Sequence, residues 1–251
     1  MAKQESLLKV RGKIGDLSFT KHRSRGYEVR MKGGVAKERI MTDPNFQRTR
    51  ENMSEFGSAA AKAKQLRQQL NNLSRNVEDR TMRNRLTSLV HRIQKADTES
   101  ARGARVFKDE NSGLLKGFEF NSNSSLKMLF AQELSPAYDR ATGEVSLEIE
   151  PFDPLKHVLL LSGATHLQFT LAAAWLSDQE VLQRPVVQQS DYIPLIGEYA
   201  GTSLQVAVEP NLENVLYIML GISMFQQTND GYYPLHNRTY NAMTIVAVDI
   251  P

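Results

Sequence analysis

Cysteine is absent from all 251 residues. That excludes a disulfide scaffold, a thiolate metal site and a cysteine nucleophile. Long apolar runs are absent too. The longest, Val215–Met224, spans about 10 residues and is interrupted by Gly221, far below the roughly 18 that a membrane-spanning helix needs. Residues 1–20 carry no apolar region followed by small residues, as a secretory signal would. The expectation is a cytoplasmic protein with no membrane partner. Tryptophan occurs once and proline 9 times, and Pro151, Pro154, Pro185, Pro194, Pro210 and Pro234 fall where strands would break.

Charge is plentiful but unevenly placed. Residues 1–110 hold 25 Lys and Arg against 13 Asp and Glu, a net +12. Residues 111–251 hold 6 against 15, a net −9. Such asymmetry points to partners. A basic half attracts nucleic acid or an acidic surface, and an acidic half on the same chain lets copies meet head to tail.

The local pattern changes along the chain. Leu8–Lys32 reads as a ribbon of short strands punctuated by Gly12, Gly15 and Gly26, with Tyr27-Glu-Val29-Arg-Met31 alternating at period two. A bare ribbon is marginal in water. Thr42-Asp43-Pro44 starts a helix. Two heptad rows follow, Phe46, Met53, Ala60 and Thr49, Phe56, Ala63, Leu70, widened by Leu66 and Leu73. The run from Gly57 to Ala63 is small on nearly every face and would let another helix approach closely. Asn71-Asn72 or Ser74-Arg75-Asn76 breaks the helix. A second helix spans about Glu78 to Ala101, with Met82, Leu86, Leu89, Val90, Ile93 and Ala96 on its apolar face. The two form an antiparallel hairpin.

From Gly113 the period becomes two. The candidate strands are Leu114–Phe120, Leu126–Leu134, Glu144–Glu150, Val158–Leu161, Thr165–Trp175, Val186–Gln189, Thr202–Val208, Val215–Gln226 and Tyr240–Asp249. Ala141-Thr-Gly143 and Asn229-Asp-Gly231 are hairpin turns. The fold class is therefore α+β, an N-terminal β-ribbon and antiparallel helical hairpin followed by an antiparallel β-sandwich. The expected domains are a basic assembly region over 1–110 and an acidic sandwich over 111–251.

Reactive constellations are hard to find. His22, His91, His157, His166 and His236 are scattered, none paired at the helical spacing of a metalloprotease. His157 and His166 flank a predicted turn, but a metal needs three or four ligands. Gly12-Lys-Ile-Gly15 and Gly33-Gly34 lack the Gly-Lys-Ser/Thr of a phosphate loop. Gly201-Thr-Ser203 and Gly221-Ile-Ser223 lack the second glycine of a nucleophile elbow. Glu148 and Glu150 read as a solvated strand face. The expectation is no enzyme, no cofactor, no metal and no small-molecule substrate. The basic ribbon is different: Lys9, Arg11, Lys13, Lys21, Arg23, Arg25, Arg30 and Lys32 surround Phe19 and Tyr27, a combination that can track phosphates and stack on bases.

Several blocks stand out: Gly12-Lys-Ile-Gly-Asp-Leu-Ser-Phe19, Arg30-Met-Lys-Gly-Gly-Val35, Lys37-Glu-Arg-Ile40, the stretch from Asp43-Pro44 through Phe46, Arg48, Arg50 and Asn52, Glu55-Phe56-Gly57, Gly117-Phe-Glu-Phe120, Asp139-Arg-Ala-Thr-Gly143 and Gly163-Ala-Thr-His166. Together they resemble an uncharacterised family of Bacteroidota proteins. The resemblance covers most of the chain and carries over no activity and no catalytic residue. The expectation is a phage-like structural protein whose partners are other copies of itself. Arg11, Lys13, Phe19, Tyr27, Arg30, Phe46, Arg48, Arg50, Phe56 and Gly57 would make the assembly contacts, by donating the ribbon to a neighbour's sheet edge. The alternative is a nucleic-acid-associated protein using the same basic half.

Overall fold

The computed structural model describes residues 2–5, 7–31, 33–70, 73, 77, 79–175 and 184–251. The chain divides into two compact units, residues 1–52 and 53–251. The expected division at residue 110 is thus one of charge, whereas the compact units part at Asn52 and Met53. The physical reason is that the helical hairpin buries its apolar face on the central sheet, in one core.

The first unit holds strands β1 (Ala2–Lys3), β2 (Gly12–Ile14), β3 (Leu17–His22) and β4 (Gly26–Met31). They form an antiparallel sheet in the order β1-β4-β3-β2. Gly15 turns β2 into β3 with φ +55°, a left-handed conformation that glycine adopts cheaply. Helix α1 (Lys37–Thr42), which the sequence reading did not anticipate, comes next. Asp43 then caps the following turn, accepting from the Asn45 amide at 2.9 Å, and Pro44 opens that 3-10 turn, as their residue types imply. Helix α2 (Gln47–Gln69) continues from it.

In the second unit, α2 is followed by α3 (Met82–Lys95). The pair is antiparallel: Gln94 on the last turn of α3 donates to the Ser58 hydroxyl at 2.8 Å. The expected helix break at Asn71-Asn72 or Ser74-Arg75-Asn76, and Glu78, lie outside the described residues. The buried row on α2 is Glu55, Ala59, Ala63, Leu66 and Gln69, joined by Leu70 and Leu73. It meets Leu86, Val90 and Ile93 of α3. The heptad reading holds at Ala63, Leu66, Leu70 and Leu73 and is corrected at Met53 and Phe56, which are 54% and 55% exposed. Small Ala59 and Ala63 let α3 come close on their side, which leaves Phe56 outside.

The remainder is built of β5 (Ala137–Asp139), β6 (Glu144–Ile149), β7 (His166–Trp175), β8 (Val186–Gln189), β9 (Ile193–Pro194), β10 (Thr202–Ala207), β11 (Leu216–Thr228), β12 (Gly231–Pro234) and β13 (Ala242–Asp249). One sheet has the order β10-β6-β5, and the larger runs β12-β11-β7-β8, with β13 on β11 and β9 on β7. All pairings are antiparallel. Val145, Leu147, Leu204 and Val206 of the small sheet pack on Leu167, Phe169, Leu171, Ile218 and Leu220 of the large one. The alternate residues Ala172, Ala174, Tyr217 and Met219 face the helical hairpin. The large sheet is thus covered on both faces, which is why β7 and β11 read as continuous apolar strands.

Three expected strands are corrected. Leu114–Phe120 begins as the end of a 3-10 segment, Asp109–Leu115, and only Gly117–Phe120 runs beside β13, with the Gly117 and Phe120 amides donating to the carbonyls of Ile245 at 2.7 Å and Met243 at 2.8 Å. Leu126–Leu134 opens with helix α4 (Leu126–Leu129), where the Ser125 hydroxyl caps Met128. Val158–Leu161 keeps only a bridge from Val158 to Phe130, because α5 (Pro154–His157), capped by Asp153, precedes it.

Candidate functional site

Directly opposed residues in an antiparallel pair share a face, so the strand register sorts the N-terminal sheet into two faces. Ile14, Leu17, Phe19, Lys21, Tyr27, Val29 and Met31 lie on one. This face is apolar, yet Ile14, Leu17 and Met31 are 62%, 42% and 74% exposed. Among the described residues, no hydrophobic side chain of residues 1–52 is buried. The opposite face carries Lys3, Lys13, Ser18, Thr20, His22, Glu28 and Arg30. Its buried acid, Glu28, pairs with Arg25 at 3.3 Å. Lys3, Lys13 and Arg30 are exposed.

The expected contact residues separate accordingly. Arg11 is exposed ahead of β2, Lys13 and Arg30 are on the basic face, and Phe19 and Tyr27 are on the apolar one. The ammonium groups of Lys9 and Lys21 lie 6.0 and 5.4 Å from the centre of the Tyr27 ring, within cation–π range. The Arg50 guanidinium donates to the carbonyls of Ile40 at 2.7 Å and Asp43 at 2.9 Å, closing the end of α1 onto α2. Arg48 pairs with Glu51 at 2.9 Å, and Phe46 lies 6.0 Å beneath the Arg39 guanidinium. In the second unit, exposed Phe56 meets His91 edge-on at 6.0 Å. A Cβ on exposed Gly57 would meet nothing within 4 Å. The small face of α2 is used inside the chain, since Ala59 and Ala63 are buried with α3.

The second unit has its own surface features. The outer face of the three-stranded sheet carries Ala137 and Asp139 of β5, Glu144, Ser146 and Glu148 of β6, and Ser203, Gln205 and Ala207 of β10. It holds three acids and no Lys or Arg. A cavity of about 750 Å³ opens between the Ala131–Pro136 segment and Thr244–Ala247. Burial pushes the Glu119 carboxyl in its wall up, against the hydroxyl it accepts from Thr244. His157 and His166 do not form a ligand set: His157 Nδ1 is 3.0 Å from the Asp153 carbonyl, and His166 stacks edge-on against Tyr232 at 4.9 Å. Burial lowers the pKa of His166. Among the described residues no three His, Asp or Glu side chains converge as metal ligands, and no helix is long and apolar enough to cross a membrane.

The sequence reading missed three buried acids that order the loops of the second unit. Asp79 accepts from Thr81 and Arg85 and from the Ser122 amide. Asp97 accepts from the amides of Glu99, Ser100 and Val106, and Glu55 accepts from the Gly103 amide at 2.7 Å. Asp79-x-Thr81 and Asp97-x-Glu99-Ser100 carry the spacing of side-chain-capped turns, the one signal that could have found two of them. No family model matches the chain, and neither a curated protein nor a solved structure is significantly similar to it.

Proposed function

We propose that the chain is a structural subunit that assembles with copies of itself through its N-terminal sheet, and that it is not an enzyme. One observation carries this reading: a four-stranded sheet with an apolar face, in a unit where Phe19, Tyr27 and Val29 are only half-buried and no described hydrophobic side chain is fully buried. A sheet becomes stable by burying such a face. Charge supports a like-chain partner. Residues 1–52 hold 13 Lys and Arg against 6 Asp and Glu, a net +7, and residues 53–251 hold 18 against 22, a net −4. Two N-terminal units repel each other, whereas one attracts the second unit of a neighbour. Contacts of that head-to-tail kind close into rings or continue as filaments.

The second reading is nucleic-acid binding, favoured by exposed Lys3, Lys13 and Arg30 on one sheet face. Light scattering after nuclease treatment separates the two. The assembly reading expects a mass well above the 28.3 kDa of one chain, falling as salt rises. A nuclease-treated monomer that arrived with strong 260 nm absorbance would replace it with the nucleic-acid reading.

A further inference from the structure

The self-assembly reading leaves open where a neighbour receives the N-terminal sheet. We propose that β2 of one copy adds to β5 of a second copy, so that the N-terminal sheet of the first continues the three-stranded sheet of the next. This inference rests on the self-assembly reading and names its acceptor.

Open edges come first. β5 ends its sheet, and among the described residues no strand pairs with its outer side. The other edge of that sheet, β10, is occupied by the Gln188 side chain, which accepts the Gln205 amide. β2 likewise ends the N-terminal sheet. The opposite edge, β1, has two residues. The chain beside it is tied back by Gln4, which donates to the Val10 carbonyl at 3.1 Å and accepts the Val10 amide at 2.9 Å. Each sheet therefore has one open edge, and each open strand is three residues long. Unpaired edges of this kind are templates for strand addition.

Side-chain parity then fixes which faces join. On β5, Tyr138 packs toward the core while Ala137 and Asp139 point outward with Glu144 and Glu148. On β2, Lys13 belongs to the basic face while Gly12 and Ile14 belong to the apolar one. Placing Lys13 inward would desolvate its cation against the sandwich core. Placing it outward aligns Lys13 and Arg30 with Asp139, Glu144 and Glu148, and Ile14 with Tyr138. Apolar face continues apolar face, and cation meets acid. Strands this short give few backbone bonds, so the acid–base match supplies orientation and encounter rate.

The lack of cysteine makes the test clean. Full-length Lys13→Cys and full-length Ala137→Cys carry one thiol each. The two are mixed and treated with a short bismaleimide, which tolerates a slip of two residues, about 7 Å along the strand. The expected product is a mixed cross-linked pair, with little from Lys3→Cys and Ala137→Cys, since β1 lies three strands further in. Wild type that sizes as an oligomer while Lys13→Cys and Ala137→Cys fail to cross-link would overturn this acceptor and leave self-assembly standing. Wild type that sizes as a monomer would remove both. The chain carrying both substitutions should give a ladder, and an internally closed monomer would overturn the inference by showing β5 taken by its own β2. Glu144→Lys with Glu148→Lys should weaken association about tenfold at low salt, and unchanged association would also count against the proposal.

Discussion

Asp97 shows how much one side chain arranges in this molecule. It is 1% exposed, accepts three backbone amides and pairs with Lys108 at 3.3 Å. The Ser100 hydroxyl, then the amides, hold its carboxyl well below the ordinary 3.8, against desolvation. Asp79 is depressed as well: burial pushes its carboxyl up most, but donation from Thr81, Arg85 and Ser122 outweighs it. A carboxyl depressed in the folded state stabilises fully above its ordinary pKa and loses that contribution as pH falls through the folded value. Acid should therefore loosen the loops flanking α3 below about pH 3.8, and Asp97→Asn should flatten that limb in a circular dichroism titration. Gly143 is the residue-scale counterpart in the sandwich. Its φ is +75°, and an added Cβ would lie 2.2 Å from the Val208 carbonyl oxygen. Gly143→Ala should cost at least about 1–3 kcal/mol, read by urea unfolding. The Gly143 turn was legible from residue types alone. Asp97 was not, because its partners are amides of a loop without period, and a lone Asp in a polar stretch looks the same whether it is exposed or enclosed.

At the scale of elements, legibility followed length. β7, β11 and β13 were readable because four or more alternating or continuous apolar residues leave few other options, and β10 because Leu204, Val206 and Val208 alternate. α4 and α5, four residues each, were hidden by strand-forming neighbours, although Ser125 and Asp153 mark their starts with capping chemistry. In α2 the large side chains misled. A heptad through Met53 and Phe56 predicts that they are buried, whereas the chain buries Glu55 and Ala59 beside the expected Ala63. Stability measurements distinguish these directly. Ala63→Leu should overpack the α2–α3 contact at a cost of about 1–3 kcal/mol. Phe56→Ala should change stability by less than about 0.5 kcal/mol. The heptad arrangement demands a loss of about 3–5 kcal/mol for Phe56→Ala as well.

For the whole molecule, the charge asymmetry was plain in the sequence but its structural boundary was not. Basic residues run past Asn52 into the helical hairpin, where Arg83, Arg92 and Lys95 stay exposed while the apolar face of the same helix joins the large sheet. Net charge by segment therefore blurs a division that packing draws at Asn52 and Met53. The described buried residues of both hydrophobic cores lie within 59–245, with Val246, Ala247 and Val248 packed against them. Removing residues 1–52 should thus leave a folded second unit of single-chain mass. The lone tryptophan, Trp175, is 9% exposed, and its fluorescence should stay blue-shifted. Red-shifted emission would show that the second unit needs the first to fold.

Covering the large sheet on both sides sets a gradient across the molecule. Amide protons of β7 and of β11 as far as Met224 should escape to solvent only by global opening, whereas those of β1–β4, where no described hydrophobic side chain is buried, should be released by local fraying. In deuterated buffer the two regions should exchange on timescales separated by orders of magnitude. The N-terminal sheet then acts as a built-in gauge, since slow exchange there would register whatever comes to lie upon it.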